Sequence, residues 1–363
     1  MTATILFPII AGLVSSIAVS VLLVVTARFH GKLSYDTLEG VQKVHVKPTP
    51  RVGGIALFIG YFVASGFLQG ETRILFVLIG VAGLPAFIFG IIEDLTKKVG
   101  VKQRLVATLA SGILFSILTG YTIGYVDVIG IDMLLSWSIL SFAFTAFAIG
   151  GIANAINLID GFHGLASGTI ILVLISFALV AARVDDTVIV SFSLVMAAVM
   201  AGFFVVNFPF GKIFLGDAGA YFSGYVVATL AVMLPMRNPE VSPWISILIL
   251  AYPLTETIVS IVRRLRKKGA HPAEPDGEHL HHVVFRSWSK KVAIVLNLPN
   301  AQNAVTSVFM WLLPAMTLIM VTFCSLQLGG AVVYLVFSVL LYLISYHALG
   351  RFTSHHSENG REL

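Results

Sequence analysis

Apolar residues recur along this chain in unbroken runs of about 20, parted by short polar connections, almost from the first residue to position 348. A run of that length crosses a bilayer as an α-helix, which satisfies its own backbone hydrogen bonds where no water can. The runs lie at 4–26, 53–69, 74–92, 105–124, 133–153, 166–182, 188–207, 218–235, 243–262, 303–324 and 329–348. They predict an all-α, polytopic transmembrane helix bundle of about 11 spans (10–11). The sixth run is the short one on which the parity of the two sides depends. The first has no basic residue ahead of it and Arg28 and Lys32 behind it, which predicts a retained span and not a cleaved signal peptide.

Charge gives the bundle a direction. Cytoplasmic connections are enriched in Lys and Arg. When alternate connections are sorted, only Arg73, Arg183 and Arg237 of the 23 such residues fall on the poorer side. This predicts an N-terminus outside and a C-terminus in the cytoplasm. It predicts one transmembrane catalytic domain over 1–350, with cytoplasmic loops at 27–52, 93–104, 154–167, 208–217 and 263–302, and a cytoplasmic tail at 351–363. Composition agrees, since 57% hydrophobic and 11% charged residues exclude a soluble domain of 363 residues. The net charge of +5 is mostly this side bias, and no soluble basic domain is present to bind nucleic acid. The single cysteine, Cys324, excludes an intramolecular disulfide or a thiolate metal site.

The residues capable of chemistry collect in the expected cytoplasmic loops: HVKPTPRVGG from His45 to Gly54, EDLTKKVGVKQR from Glu93 to Arg104, NAINLIDGFHGLASG from Asn154 to Gly168, NFPFGKIFLGDAGA from Asn207 to Ala220, and PDGEHLHH from Pro275 to His282. Loops carry function on a regular scaffold, and polar groups near a membrane are costly, so five such loops on one face predict one site. Its inventory is carboxylates (Glu93, Asp94, Asp160, Asp217), carboxamides (Asn154, Asn157), imidazoles (His45, His163, His279, His281, His282) and fixed cations (Lys47, Arg51, Lys102, Arg104). Such a set suits a hard cation with phosphate, because Mg²⁺ takes one or two protein oxygens and fills its shell with phosphate and water. The glycines of DGFHGLASG and LGDAGA are expected to bring backbone N–H groups toward an anion at the start of the following helix. Plainer roles compete: Asp217 as a helix N-cap, Asn154 as a bridge between helices, the Arg263 to Lys268 run as a membrane anchor. A secondary transporter is the rival function, but transporters hold their sites near the midplane and these residues lie in loops.

These motifs, in this order from His45 to His282, resemble the polyprenyl-phosphate N-acetylhexosamine-1-phosphate transferases, a family related to the phospho-MurNAc-pentapeptide translocase of peptidoglycan synthesis. The resemblance implies a bacterial inner (plasma) membrane enzyme facing the cytoplasm. It would transfer a sugar-1-phosphate from a UDP-N-acetylhexosamine to undecaprenyl phosphate, releasing UMP and beginning a lipid-linked envelope glycan such as O-antigen. It implies Mg²⁺, with Mn²⁺ as a substitute, on Asn157 and Asp217, and uracil on Phe214. Catalytic roles fall to Asp94, Glu93, Asp160, His279, His281 and His282, and substrate binding to Lys47, Arg51, Lys102, Arg104, Asn154, Phe214 and His45. A homodimer is left open, as is the particular sugar. The histidine motif PDGEHLHH is closer to UDP-GlcNAc-type enzymes than to the translocase, which is the runner-up. Four positions depart from the family pattern: Glu93 and Glu256 stand where Asp is usual, His163 stands where the DGxDG motif has its second Asp, and Ala220 stands where Ser usually follows GDxG.

Overall fold

The computed structural model describes residues 2–36, 48–266, 277–297 and 301–358. In chain order the helices are α1 (Thr2–Val25), α2 (Ala27–Ser34), α3 (Gly53–Ser65), α4 (Gly70–Ala82), α5 (Leu84–Thr96), α6 (Val101–Thr119), α7 (Ile129–Leu135), α8 (Ser138–Leu158) and α9 (Leu165–Arg183). They continue as α10 (Thr187–Asn207), α11 (Gly216–Arg237), α12 (Pro243–Ile249), α13 (Ala251–Arg266), α14 (Leu280–Val284), a π-helical turn (Phe285–Ser289), α15 (Lys290–Val295), α16 (Gln302–Phe323) and α17 (Leu328–Glu358). The only β-type pairing among the described residues is a single antiparallel bridge between Tyr35 and Pro50.

Every expected run is helical, but the count of eleven spans is coarser in the structure. Among the described residues, eight helices are long and apolar enough to cross a bilayer on their own, and up to ten if each of two bent pairs is one span. The chain is therefore a multi-pass helical membrane protein. The pairs are α4 with α5, bent by 46°, and α12 with α13, bent by 78°. The second run shrinks to the 13 residues of α3, while the sixth, on which parity rested, is a well-formed 19-residue helix, α9.

α11 is the axis of the bundle. Every residue from Gly216 to Pro235 is buried, and α3, α5, α8 and α9 pack around it. Small residues make this approach feasible, because in lipid helices associate by close van der Waals packing more than by the hydrophobic effect. A Cβ on Gly54 of α3 would sit 2.3 Å from the Gly219 nitrogen, and one on Gly90 of α5 would sit 2.5 Å from Ala218 Cα. α13 shows the inverse pattern of a soluble amphipathic helix. Its polar Thr255, Glu256 and Ser260 are buried against protein, whereas Ile258, Ile261, Val262 and Leu265 form an exposed apolar stripe suited to lipid.

Candidate active site at the head of the central helix

The loop before α3 and the loop before α11 are joined through their backbones. Phe214 N donates to Pro50 O at 2.8 Å, and Gly53 N and Gly54 N donate to Phe214 O and Leu215 O, each at 2.9 Å. On the other flank Arg51 N donates to Ser34 O and Asp36 N to Thr49 O. Arg51 is thus fixed from both sides and reaches over the first turn of α11. Gly216 makes that turn with φ of +73°, in the left-handed region that glycine enters freely. A Cβ there would lie 2.4 Å from Arg51 O and 2.7 Å from Asp94 Oδ2.

Asp94, wholly buried on α5, accepts from Asp217 N at 2.8 Å and Ala218 N at 2.9 Å. A carboxylate from another helix therefore caps α11, complementing the unpaired N–H groups and the positive end of its dipole. This corrects the expectation that the glycine-rich turns leave their N–H groups for a ligand anion: at α11 the acceptor is Asp94. At α9 the Gly164 N–H is likewise taken, by Asn207 Oδ1 at 2.6 Å. Asp217, exposed by only 5%, receives Arg51 Nη2 on Oδ1 at 3.1 Å and Arg104 Nη1 on Oδ2. Arg51 Nη1 also donates to Asp36 Oδ1 at 3.3 Å. Asp160 belongs to the same cluster. It is half-buried, and desolvation pushes its carboxyl up to about 7, with Arg51 pulling it down and Asp217 and Asp36 adding to the rise.

Asn157 enters through α11. Its Nδ2 donates to Tyr221 Oη at 3.1 Å, and the Arg104 guanidinium lies 6.0 Å from the centre of the Tyr221 ring. Tyr221 was not among the expected residues. It stands one helical turn after Asp217, a spacing that puts both on one face, but an aromatic inside an apolar run gives no chemical signal.

The histidine motif forms a second, adjoining cluster. His279, His281 and His282 are all buried, with ring centres 5.3 Å apart for His279 and His281, and 4.7 Å for His281 and His282. α14 orders them, and Phe162 of the DGFHG loop meets His281 and His282 edge-on at 5.3 and 5.4 Å. Burial, with His282 and His279 beside it, holds the His281 imidazole well below its ordinary value, so it is neutral at pH 7. Gly161, next to Asp160, lies against His281 Nε2, which joins the two clusters. The DGFHG loop is held from α16 by Asn303, Ser307 and Trp311, which bond His163 N, His163 O and Gly164 O. The His163 ring stands 5.8 Å from that of Phe214.

Other expected residues lie elsewhere or do different work. Glu93 Oε2 accepts from Val99 N at 2.7 Å, closing the α5–α6 turn beside Arg104. Asn154 donates to Thr108 Oγ1 and to Gly150 O, tying α8 to α6, which is the bridging role. Lys102 is exposed on the first turn of α6 and makes no ion pair with the cluster among the described residues. His45 and Lys47 lie outside the described residues.

The donor chemistry fits magnesium in one respect and limits it in another. Arg51 sits among four carboxyls, Asp36, Asp94, Asp160 and Asp217, and only Arg104 joins it as a counter-cation among the described residues. The surplus is acidic and oxygen-based, as a hard cation requires. No three His, Cys, Asp or Glu side chains among the described residues enclose a metal by themselves. A metal held by Asp217 and Asn157 would depend on phosphate and water for the rest of its shell, which is the usual habit of Mg²⁺.

Comparison with known proteins places this architecture in a family. Residues 75–235 match glycosyl transferase family 4. A probable undecaprenyl-phosphate N-acetylglucosaminyl 1-phosphate transferase of Bacillus subtilis (strain 168) is 32% identical over 278 residues, covering 76% of each chain. The decaprenyl-phosphate N-acetylglucosaminephosphotransferase of Mycolicibacterium smegmatis is 29% identical over 70% of this chain and 69% of its own. The undecaprenyl-phosphate alpha-N-acetylglucosaminyl 1-phosphate transferase of Escherichia coli (strain K12) is 28% identical over 70% of both. The chain belongs to glycosyl transferase family 4, and these relatives are sugar-phosphate transferases.

Proposed function

We propose that this protein transfers an N-acetylhexosamine-1-phosphate, on the pattern of its relatives GlcNAc-1-phosphate, from the UDP-sugar to undecaprenyl phosphate. UMP leaves, and a lipid-linked glycan of the bacterial envelope begins. The reaction takes place at the cytoplasmic face of the inner membrane, a reading that rests on the one-sided distribution of Lys and Arg. The observation that carries the proposal is the head of α11, where Arg51 and Arg104 converge on Asp217 beside Asp160, Asn157 and the histidines.

The chemical difficulty is the meeting of two anions. Like charges ~4 Å apart repel by about 4 kcal/mol at an effective dielectric of ~20, and a phosphate attacking a diphosphate makes several such pairs. A phosphate monoester is already mostly dianionic near neutrality and needs little deprotonation to act as nucleophile. Arg51 and Arg104 supply fixed positive charge for the diphosphate, and its oxygens compete with Asp217 for the two guanidinium groups. Asp217, so released, and Asn157 would hold a magnesium ion, which would supply neutralising charge to the diphosphate and to the leaving UMP. Phe214, with His163 beside it, offers an aromatic face to the uracil. Asp94 keeps the first turn of α11 rigid beneath the reacting groups, and the histidines serve as donors to phosphate oxygens.

The test is release of UMP by the purified protein in detergent with undecaprenyl phosphate, magnesium and a panel of UDP-sugars. Magnesium-dependent release with a UDP-N-acetylhexosamine, abolished by omitting the lipid phosphate, is the expected result. No release with any of the panel, or release from UDP-MurNAc-pentapeptide alone, would overturn it.

A further inference from the structure

Glu256 is a fully buried carboxylate on α13, outside the segment matched to the family. Burying such a group costs several kcal/mol unless partners compensate, so an acid at this position calls for a reason. Its Oε1 accepts from His279 Nδ1 at 3.0 Å and from Leu280 N at 3.2 Å. A carboxylate only accepts, so Nδ1 carries the proton and Nε2 is the ring nitrogen left to meet a substrate.

The same loop is braced by α17. Tyr342 of α17 lies near Glu256, and its buried hydroxyl and Glu256 Oε2 each lack a hydrogen-bond partner among the described residues. One turn on, Tyr346 donates from its hydroxyl to Glu278 O at 3.2 Å, and Arg263 Nη1 donates to that hydroxyl at 3.0 Å. Arg263 Nε also pairs with Glu278 Oε2 at 3.5 Å. The two tyrosine rings lie nearly parallel, 6.4 Å apart. The residues just before the histidines are therefore held by α13 and α17 together.

We infer that Glu256 is a positioning residue: through His279 Nδ1 it sets the tautomer and plane of that ring, and α17 keeps the pair in register. The inference rests on the reading that the histidine motif acts on phosphate. A carboxylate that orients a histidine typically contributes 10- to 100-fold where its loss has been measured in metal sites, about the size expected here.

The test uses the full-length enzyme in detergent with magnesium, undecaprenyl phosphate and whichever UDP-N-acetylhexosamine supports UMP release. Glu256→Gln should lower kcat by about 10- to 100-fold and leave KM for the UDP-sugar within about threefold. Glu256→Asp, which keeps the charge, should recover part of that loss. In a His279→Ala background Glu256→Gln should cost no more than about twofold further, since a residue acting through His279 has nothing left to orient. If Glu256→Gln does not give monodisperse protein, Tyr342→Phe is judged by the same cycle: a loss in the wild-type background that His279→Ala cancels. Full kcat in Glu256→Gln with an inactive His279→Ala would overturn this inference alone. Losses that multiply in the double variant would make Glu256 a folding clip and overturn it as well. Wild-type activity in His279→Ala would overturn both it and the reading on which it rests.

Discussion

Two arginine-carboxylate clusters close opposite ends of the bundle, and they are built differently. At one end Arg237 Nε donates to Asp186 at 2.8 Å, and Arg237 Nη1 donates to Glu71 at 2.6 Å and Tyr121 Oη at 2.7 Å. Asp186 also receives Asn238 Nδ2 and the N–H groups of Val188 and Ile189 at the start of its own helix, α10. Although desolvation opposes it, these donors, Arg237 first, hold the Asp186 carboxyl below its ordinary value. Nearby Arg183 donates to Val321 O and Cys324 O, satisfying carbonyls at the end of α16. Each charge there is spent on a local need. At the other end Asp94 caps a helix that is not its own, Asp217 is shared by two arginines, and Asp160 is pushed up to about 7. The first cluster is a latch. The second gathers four carboxyls around two arginines, a surplus of oxygen donors that a bound cation would engage.

Labelling gives an all-or-none separation of the two ends. In a Cys324→Ser background, cysteines at exposed Lys98 and half-buried Gly277 should be protected from a membrane-impermeant thiol reagent in intact cells. Those at exposed Gln69 and Glu240 should react. The reverse pattern would put the acidic cluster where cytoplasmic nucleotide sugars cannot reach it. Next in size, Asp217→Asn or Arg104→Ala should lower UMP release on the order of 1,000-fold, while the protein stays monodisperse in detergent. Near wild-type release from either would remove the cluster from the chemistry.

Arg237→Ala makes the opposite claim. It should cost about 2–3 kcal/mol of stability by leaving Asp186 short of its main partner, with kcat below the new melting point changed less than about threefold. A large loss of kcat without loss of Tm would make the latch part of the catalytic apparatus. The smallest effect is a difference in pH slope for the metal-free protein. For Asp160 the folded value, about 7, lies above the ~3.9 of an unfolded chain. Between those values the folded state holds more protons, so this group makes stability fall as pH rises, and Asp160→Asn should flatten that slope. Asp186 has the opposite sign. Its contribution is complete above the ordinary carboxylate value and is lost only as pH falls through its own depressed one. An Asp160→Asn slope identical to wild type would show that this carboxyl is not raised.

The bundle itself was legible in the sequence, because a lipid environment leaves the chain little choice. Long apolar runs must be helices, and each of the eleven runs is one, although α3 is too short and α4–α5 and α12–α13 too bent for the count to stand as eleven spans. The five motifs were legible too, since Asp, Asn, Arg and His are conspicuous in a chain only 11% charged. Which of them would meet was only partly so. Asp94 and Asp217 meet at the head of α11, whereas Asn154 bridges helices and Lys102 is exposed and makes no ion pair with the cluster among the described residues.

Helix identity, motif order and the uneven distribution of charge can be read from the chain alone, because they depend on hydropathy and residue type within one segment. Partners are set by the packed bundle. Asp186 precedes the helix it caps, and that local signal can be read from residue order. Asp94 caps a helix whose first turn is 123 residues away, and nothing near position 94 announces it. Tyr221 joined the site through its spacing from Asp217, and Glu256 through a histidine 23 residues on. Such pairings are fixed by how closely glycine and alanine let the helices approach α11, a property of the packed bundle and not of any one run.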